Sequence, residues 1–226
     1  MVTASRAAGV ITNPDPEAPV LRLPLTSDSF SGSDTANIVG RSTDVALGGS
    51  RLLWQGTSGV WGIASERLVP LATTAAAVAV ASPVADYELS FVVATAPVAQ
   101  ANFLLDVRRA ALAVSPAPDG YRLSATVAAA PTVAGAPPAT ITMQLVKRVA
   151  AVSTSLAAGL TAAVGDRIGI RVKSGAGTAT ITVIVNGVTS ASYIDTSPIV
   201  GSGFAGVGSG GNLAGLSLDS MVLAPV

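Results

Sequence analysis

From residue 84 onward the chain alternates apolar and polar side chains with a period of two. In "DYELSFVV" (86–93), Tyr87, Leu89, Phe91 and Val93 share one strand face, and Ser90 falls on the other. "NFLLDVRR" (102–109) sets Phe103, Leu105 and Val107 against Leu104, Asp106 and Arg108. "DGYRLSATV" (119–127) opens on an Asp-Gly turn signal and then alternates Tyr121, Leu123, Ala125 and Val127 with Arg122, Ser124 and Thr126. The same period returns in 139–149, in 165–174 and in 178–188, the last ending at Asn186-Gly187. In "LAGLSLDSMVLAP" the pattern places Leu216, Leu218 and Ser220 opposite Ser217, Asp219 and Met221. One stretch, 149–165, is rich enough in Ala to suit a helix, but its Thr and Gly content and strand context predict strand and loop.

Many short alternating strands separated by Gly, Pro and Asn-Gly turns predict antiparallel sheets packed as a sandwich. No 20–50-residue repeat supports a solenoid or propeller. Residues 1–23 carry Pro14, Pro16 and Pro19 in "NPDPEAP" and read as an extended N-terminal arm, leaving 24–226 as the domain. The arm shows neither the apolar core nor the cleavage site of a secretory signal. The most apolar run, Leu68 to Ala85, is broken by Pro70, two threonines, Ser82 and Pro83. It falls short of the roughly 20 continuous apolar residues a membrane helix needs.

Composition narrows the chemistry. Thirteen basic residues balance thirteen acidic ones, so no net field draws nucleic acid or anionic lipid. The chain has no Cys, which removes disulfides and thiolate metal sites, and no His, which removes the commonest general base and transition-metal ligand. Nucleophilic triads are thereby excluded. A glycosidase needs two carboxylates across one cleft, yet the glutamates are Glu17 in the arm, Glu66 at a turn and the isolated Glu88. Adjacent Arg108 and Arg109 point to opposite faces of a strand and read as surface or rim residues. "GVGSGGN" (206–212) lacks the strand-then-helix context of a phosphate loop.

Both tryptophans, Trp54 and Trp61, flank "GTSG" (56–59), a turn that would place them on neighbouring strands. The spacing of "WGI" sends Trp61 and Ile63 to one face. A pin over one end of the core is preferred to a sugar-stacking platform. The order of motifs across 28–70 resembles concanavalin A-like, laminin G-like jelly-roll domains of bacteriophage virion proteins. The positions that carry the resemblance are Asp28, Phe30, Gly48, Trp54, Trp61, Ile63 and Leu68. Residues 165–212 are similar to the closing pattern of that family, with "LAGLSLDSMVL" as a terminal strand beside the first. An Arg that often follows the opening Phe in the family is absent here, where Ser31 and Gly32 stand, and no role attached to it is transferred.

The resemblance implies an all-β, antiparallel two-sheet jelly-roll sandwich (concanavalin A-like) with an extended N-terminal arm. It also implies a non-enzymatic virion structural protein at the particle surface. A tail-associated (minor tail) role with host-surface contact is expected, with a capsid decoration protein or a carbohydrate-binding module for host cell-wall glycan as alternatives. The arm would dock on other virion proteins in a homo-oligomer, without nucleic acid or membrane insertion. Phe30, Trp54, Trp61 and Ile63 are expected in the core. Tyr193, the tyrosine that falls in a predicted loop, is the candidate ligand contact. No catalytic or cofactor residue is expected. Asp28, Asp34 and Asp44, with Asp219 where the first and last strands could meet, are the oxygen ligands on which calcium would depend; a turn-and-cap role for them is preferred.

Overall fold

The computed structural model describes residues 23–46, 51–56, 60–71, 76–112, 118–209 and 213–226. All but the last residue of the expected arm, Gly48 of the motif, residues 57–59 of the "GTSG" turn and residues 210–212 of the Gly-rich segment lie outside the described residues. The described elements are strands. In chain order they are β1 (Thr26–Asp28), β2 (Val45–Ala46), β3 (Gln55–Gly56), β4 (Trp61–Ala64), β5 (Arg67–Pro70), β6 (Ala76–Ala81), β7 (Tyr87–Thr95) and β8 (Ala101–Arg109). There follow β9 (Gly120–Val127), β10 (Thr140–Val149), β11 (Val152–Ala163), β12 (Arg167–Ser174), β13 (Ala179–Val185), β14 (Val188–Asp195), β15 (Phe204–Ser209) and β16 (Ser217–Pro225).

They form two antiparallel sheets. One runs β14-β13-β12-β7-β16-β1-β2, with the β4–β5 hairpin joined to β16; the other runs β11-β10-β9-β8-β15-β6-β3. This is the all-β, antiparallel two-sheet sandwich that the resemblance implies. The chain changes sheet at β2–β3, β3–β4, β5–β6, β6–β7, β7–β8, β11–β12, β14–β15 and β15–β16, while hairpins fill out one side of each sheet. The first strand lies beside the last, with Thr26 opposite Leu223 and Asp28 opposite Met221.

The core is the set of period-two faces. Tyr87, Leu89, Phe91 and Val93 meet Phe103, Leu105, Val107, Leu123 and Ile141 across the sandwich, all fully buried. Each such side chain contributes about 1.5–3 kcal/mol relative to exposure. Phe30, Trp54, Trp61 and Ile63 are buried as expected, and Phe30 packs on both Trp54 and Phe91, with ring centroids 6.0 Å and 6.4 Å apart. The tryptophans do not sit on neighbouring strands, however. Trp54 precedes β3 of one sheet and Trp61 opens β4 of the other, and the segment 35–43 bridges them: Ile38 N–H donates to Trp61 O and Trp54 N–H donates to Arg41 O. The pin therefore closes one end of the sandwich.

Two patterns were altered by bulges, each of which inserts one residue and reverses the faces beyond it. In β16 the register shifts between Asp219 and Val222, and Ser220 takes a φ of 51°. Leu216 and Leu218 are buried as read, but beyond the shift Met221 and Leu223 take the buried face in place of Ser220. In β8, Arg108 takes a φ of 49° opposite a register shift in β15. Arg108 and Arg109 are not rim residues: they are only 2% and 3% exposed.

Candidate functional site

The buried face of Tyr121 on β9 ends in a hydroxyl, and a buried tyrosine requires a polar partner. Its hydroxyl donates to Asp195 Oδ2 at 2.7 Å and accepts from Ile199 N–H at 3.0 Å. Asp195 ends β14 and also receives Lys147 Nζ of β10 at 2.8 Å, while its Oδ1 takes the Ser197 N–H at 3.0 Å. Lys147 donates in addition to Ser197 O. From a second direction, Arg108 donates to Ile199 O at 2.7 Å and Tyr87 to Ser202 O at 3.0 Å. The Arg108 guanidinium reaches across the sandwich to Ala85 O, Asp86 and Ser174 as well, and its backbone N–H donates to the Tyr87 hydroxyl. Four strands thus clamp the segment 195–202 that links β14 to β15.

That clamped segment is one wall of a cleft of about 700 Å³ at the open side of the sandwich, between edge strands β11 and β14. Val152, Thr154 and Leu156 of β11 form the opposite wall, Ile199 and Val200 add apolar surface, and Tyr193 projects into it. Tyr193 is on a strand, not in the loop the sequence suggested: it pairs with Ile181 of β13 and so shares the inward face. Ile181 is buried, but at the edge the sandwich no longer covers that face, and Tyr193 is left 37% exposed. A partly exposed aromatic above apolar walls, with Lys147, Asp119 and Asp195 at the rim, can take an amphipathic ligand by stacking.

The polar groups of the cleft are committed to each other. Burial pushes the Asp195 carboxyl up, but the bonds from Lys147, the Ser197 N–H and Tyr121 together hold it below the usual carboxylate range. Burial and the bond to Asp195 push the Tyr121 phenol well above its ordinary value. Neither is poised to exchange a proton near neutrality. Glu88 faces the outer side of the other sheet, bound to Arg171 through two donors. Glu66 lies in the β4–β5 turn with a φ of 59°.

The aspartates considered for calcium separate. Asp28 and Asp44 converge, but the Arg41 guanidinium lies between them at 3.1 Å and 3.0 Å. Asp28 also accepts from Trp54 Nε1 at 2.8 Å and from Phe30 N–H, and its pKa is raised by burial. Asp34 instead accepts from Ser65 N–H. Asp219 lies in β16 beside Ser220. Arg41 already supplies positive charge where a cation would sit, so these residues do not fit calcium. Among the described residues no group of three or more acidic side chains gathers elsewhere. Sequence reasoning missed Lys147, Asp195 and Asp119. The one usable signal was Tyr121, a hydroxylated residue on an otherwise apolar face.

No family model matches the chain, and no curated protein matches it. Among solved structures, the chain is similar to the exoplasmic/lumenal domain of VIP36, in a Ca2+-bound form. The identity is 13%, the TM-score 0.44, and the match covers 84% of this chain and 90% of that one.

Proposed function

We propose that this chain is a non-enzymatic virion module, tail-associated, that contacts a host-surface glycan through the β11–β14 cleft. The observation that carries the binding part is Tyr193, held half-open on a rigid strand over an apolar cleft whose charged groups are satisfied internally. Such a cleft offers a stacking surface without an acid opposite a base. The virion part rests on the resemblance of residues 28–70 and 165–212 to phage jelly-roll domains. It brings with it an arm-mediated dock onto neighbouring virion proteins and a homo-oligomer.

The test of binding is a pull-down with purified host cell-wall polysaccharide. Retention of the wild type and loss in Tyr193→Ala is expected; retention of both variants equally would sink the cleft as the site. The absence of catalysis is checked by reducing-end release, for which none is expected; release that disappears in Glu88→Gln would make the chain a hydrolase. Immunogold labelling with antibody to 24–226 is expected on the tail of intact particles. Label spread over the head would make the protein a capsid decoration instead. Deletion of 1–23 is expected to abolish incorporation while leaving the domain folded.

A further inference from the structure

Each charged residue of the β11–β14 cleft has an internal partner, but the charges do not balance. Three such residues line it: Asp119, Lys147 and Asp195. Lys147 and Asp195 neutralise each other at 2.8 Å, and both also bond to the backbone of Ser197. Asp119 meets only a neutral group. Its Oδ1 accepts the Ala150 N–H at 2.8 Å, and its Oδ2 meets no donor or cation among the described residues.

No other charge offsets it. Arg148, next to Lys147 in β10, pairs with Gly120 and so points to the opposite face of the sheet. Arg108 reaches the cleft wall at Ile199 O, but its charge is met by Asp86. The chain around these residues adds none, because 110–118, 149–165, 187–194 and 196–218 contain no Asp, Glu, Lys or Arg. The cleft therefore presents one net negative charge together with Tyr193 and the apolar surface of Val152 and Val200. A carboxylate in a partly desolvated hollow attracts a cation more strongly than one in open water, and the face of a tyrosine ring attracts a cation as well.

We propose that the cleft selects an amino sugar whose amine is free: a protonated hexosamine unit held by Asp119 Oδ2, in a chain that also stacks on Tyr193. This rests on the glycan reading of the cleft and adds the charge of the sugar it takes. An N-acetylated unit has the same ring without the charge, and a uronate is repelled by Asp119.

The test is calorimetry of the full chain under mildly acidic conditions that keep the amine protonated. The probes are chito-oligosaccharides with free amines, their fully N-acetylated counterparts, and cello-oligouronates of the same length. The amine-bearing oligomer is expected to bind about tenfold more tightly than the N-acetylated one, with the uronate weakest. Asp119→Asn keeps an oxygen for the Ala150 N–H and removes only the charge. It should bring the amine-bearing oligomer down to the affinity of the N-acetylated one and leave the latter unchanged. Glu66→Gln, which removes an exposed carboxylate from the β4–β5 turn, should leave the preference intact.

Equal affinity for the two chito-oligomers in wild type, with both lost in Tyr193→Ala, overturns the amine selectivity and leaves the cleft as a glycan site. Tightest binding of the uronate overturns it too. A preference that survives Asp119→Asn, or falls equally in Glu66→Gln, is general charge attraction and removes Asp119 as its origin. Binding of no oligomer also overturns the amine selectivity, and the cleft reading then stands or falls with the wall-polysaccharide pull-down.

Discussion

The two walls of the cleft are edge hairpins of the same design, reached by opposite routes. β13–β14 turns through Asn186-Gly187 and β10–β11 through Ala150-Ala151, each a two-residue loop with both φ values positive. Such turns match the right-handed twist of the strands, and Asn-Gly adopts them at little cost. Ala does not: the left-handed region costs roughly 1–2 kcal/mol per non-Gly residue. What holds the Ala-Ala turn is Asp119, 31 positions away, whose Oδ1 accepts the Ala150 N–H at 2.8 Å. The β4–β5 turn repeats the device, with Ser65 and Glu66 at positive φ and Asp34 accepting the Ser65 N–H at 2.9 Å. One hairpin is encoded in its own loop, and the other is imposed by a distant carboxylate.

The sharpest way to break this comparison is to sever the tie between the two hairpins. Asp195→Ala leaves the Lys147 ammonium, only 15% exposed, without its carboxylate partner and Tyr121 without its acceptor. A loss of about 3 kcal/mol is expected in chemical denaturation. A loss under about 1 kcal/mol would mean that the cleft walls stand independently.

Asp119→Ala comes next, at about 1–2 kcal/mol by the same measurement. Its diagnostic is a cycle with the double substitution Ala150→Asn, Ala151→Gly, which should by itself stabilise by about 1 kcal/mol. In that background the Asp119→Ala penalty is expected to shrink; an unchanged penalty would show that Asp119 acts elsewhere. The converse change, Gly187→Ala, tests the self-sufficient hairpin. A Cβ there meets nothing within 4 Å, so the φ of 81° alone sets a cost of about 1 kcal/mol.

The smallest effect is the onset of acid sensitivity. The Asp195 carboxyl is lowered in the folded state, so its contribution is fully present above the ordinary carboxylate value near ~3.9 and is lost as pH falls through the folded-state value. Wild type should therefore lose stability relative to Asp195→Asn on titration below about pH 4. Parallel curves for the two proteins would remove Asp195 as the acid-sensitive group.

The sequence by itself determined the sandwich, because a half-buried strand writes its burial into a local period of two. Tyr87, Leu89, Phe91 and Val93 were legible as one face before any partner strand was known, and Asn186-Gly187 was legible as a turn. Trp54 and Trp61 were legible as core because large aromatic rings are expensive to expose in a chain with so few of them. Tyr193 was legible as a candidate contact, although its strand was not. An edge strand with Thr, Ser and Ala on both faces carries no period to read.

Tertiary structure decided the rest. The bulges at Arg108 and Ser220 reversed the faces beyond them, because a one-residue shift depends on how partner strands pair and not on the residues at the shift. Arg41 reached Asp28 and Asp44, and Arg108 spanned the sandwich, because charges find partners through space at separations that leave no periodic trace. The cleft itself exists because Lys147, Tyr121 and Asp195, far apart in the chain, meet where two sheet edges stop covering each other. Local periodicity specifies which face of a strand is buried, whereas closure of the sandwich specifies where that burial ends.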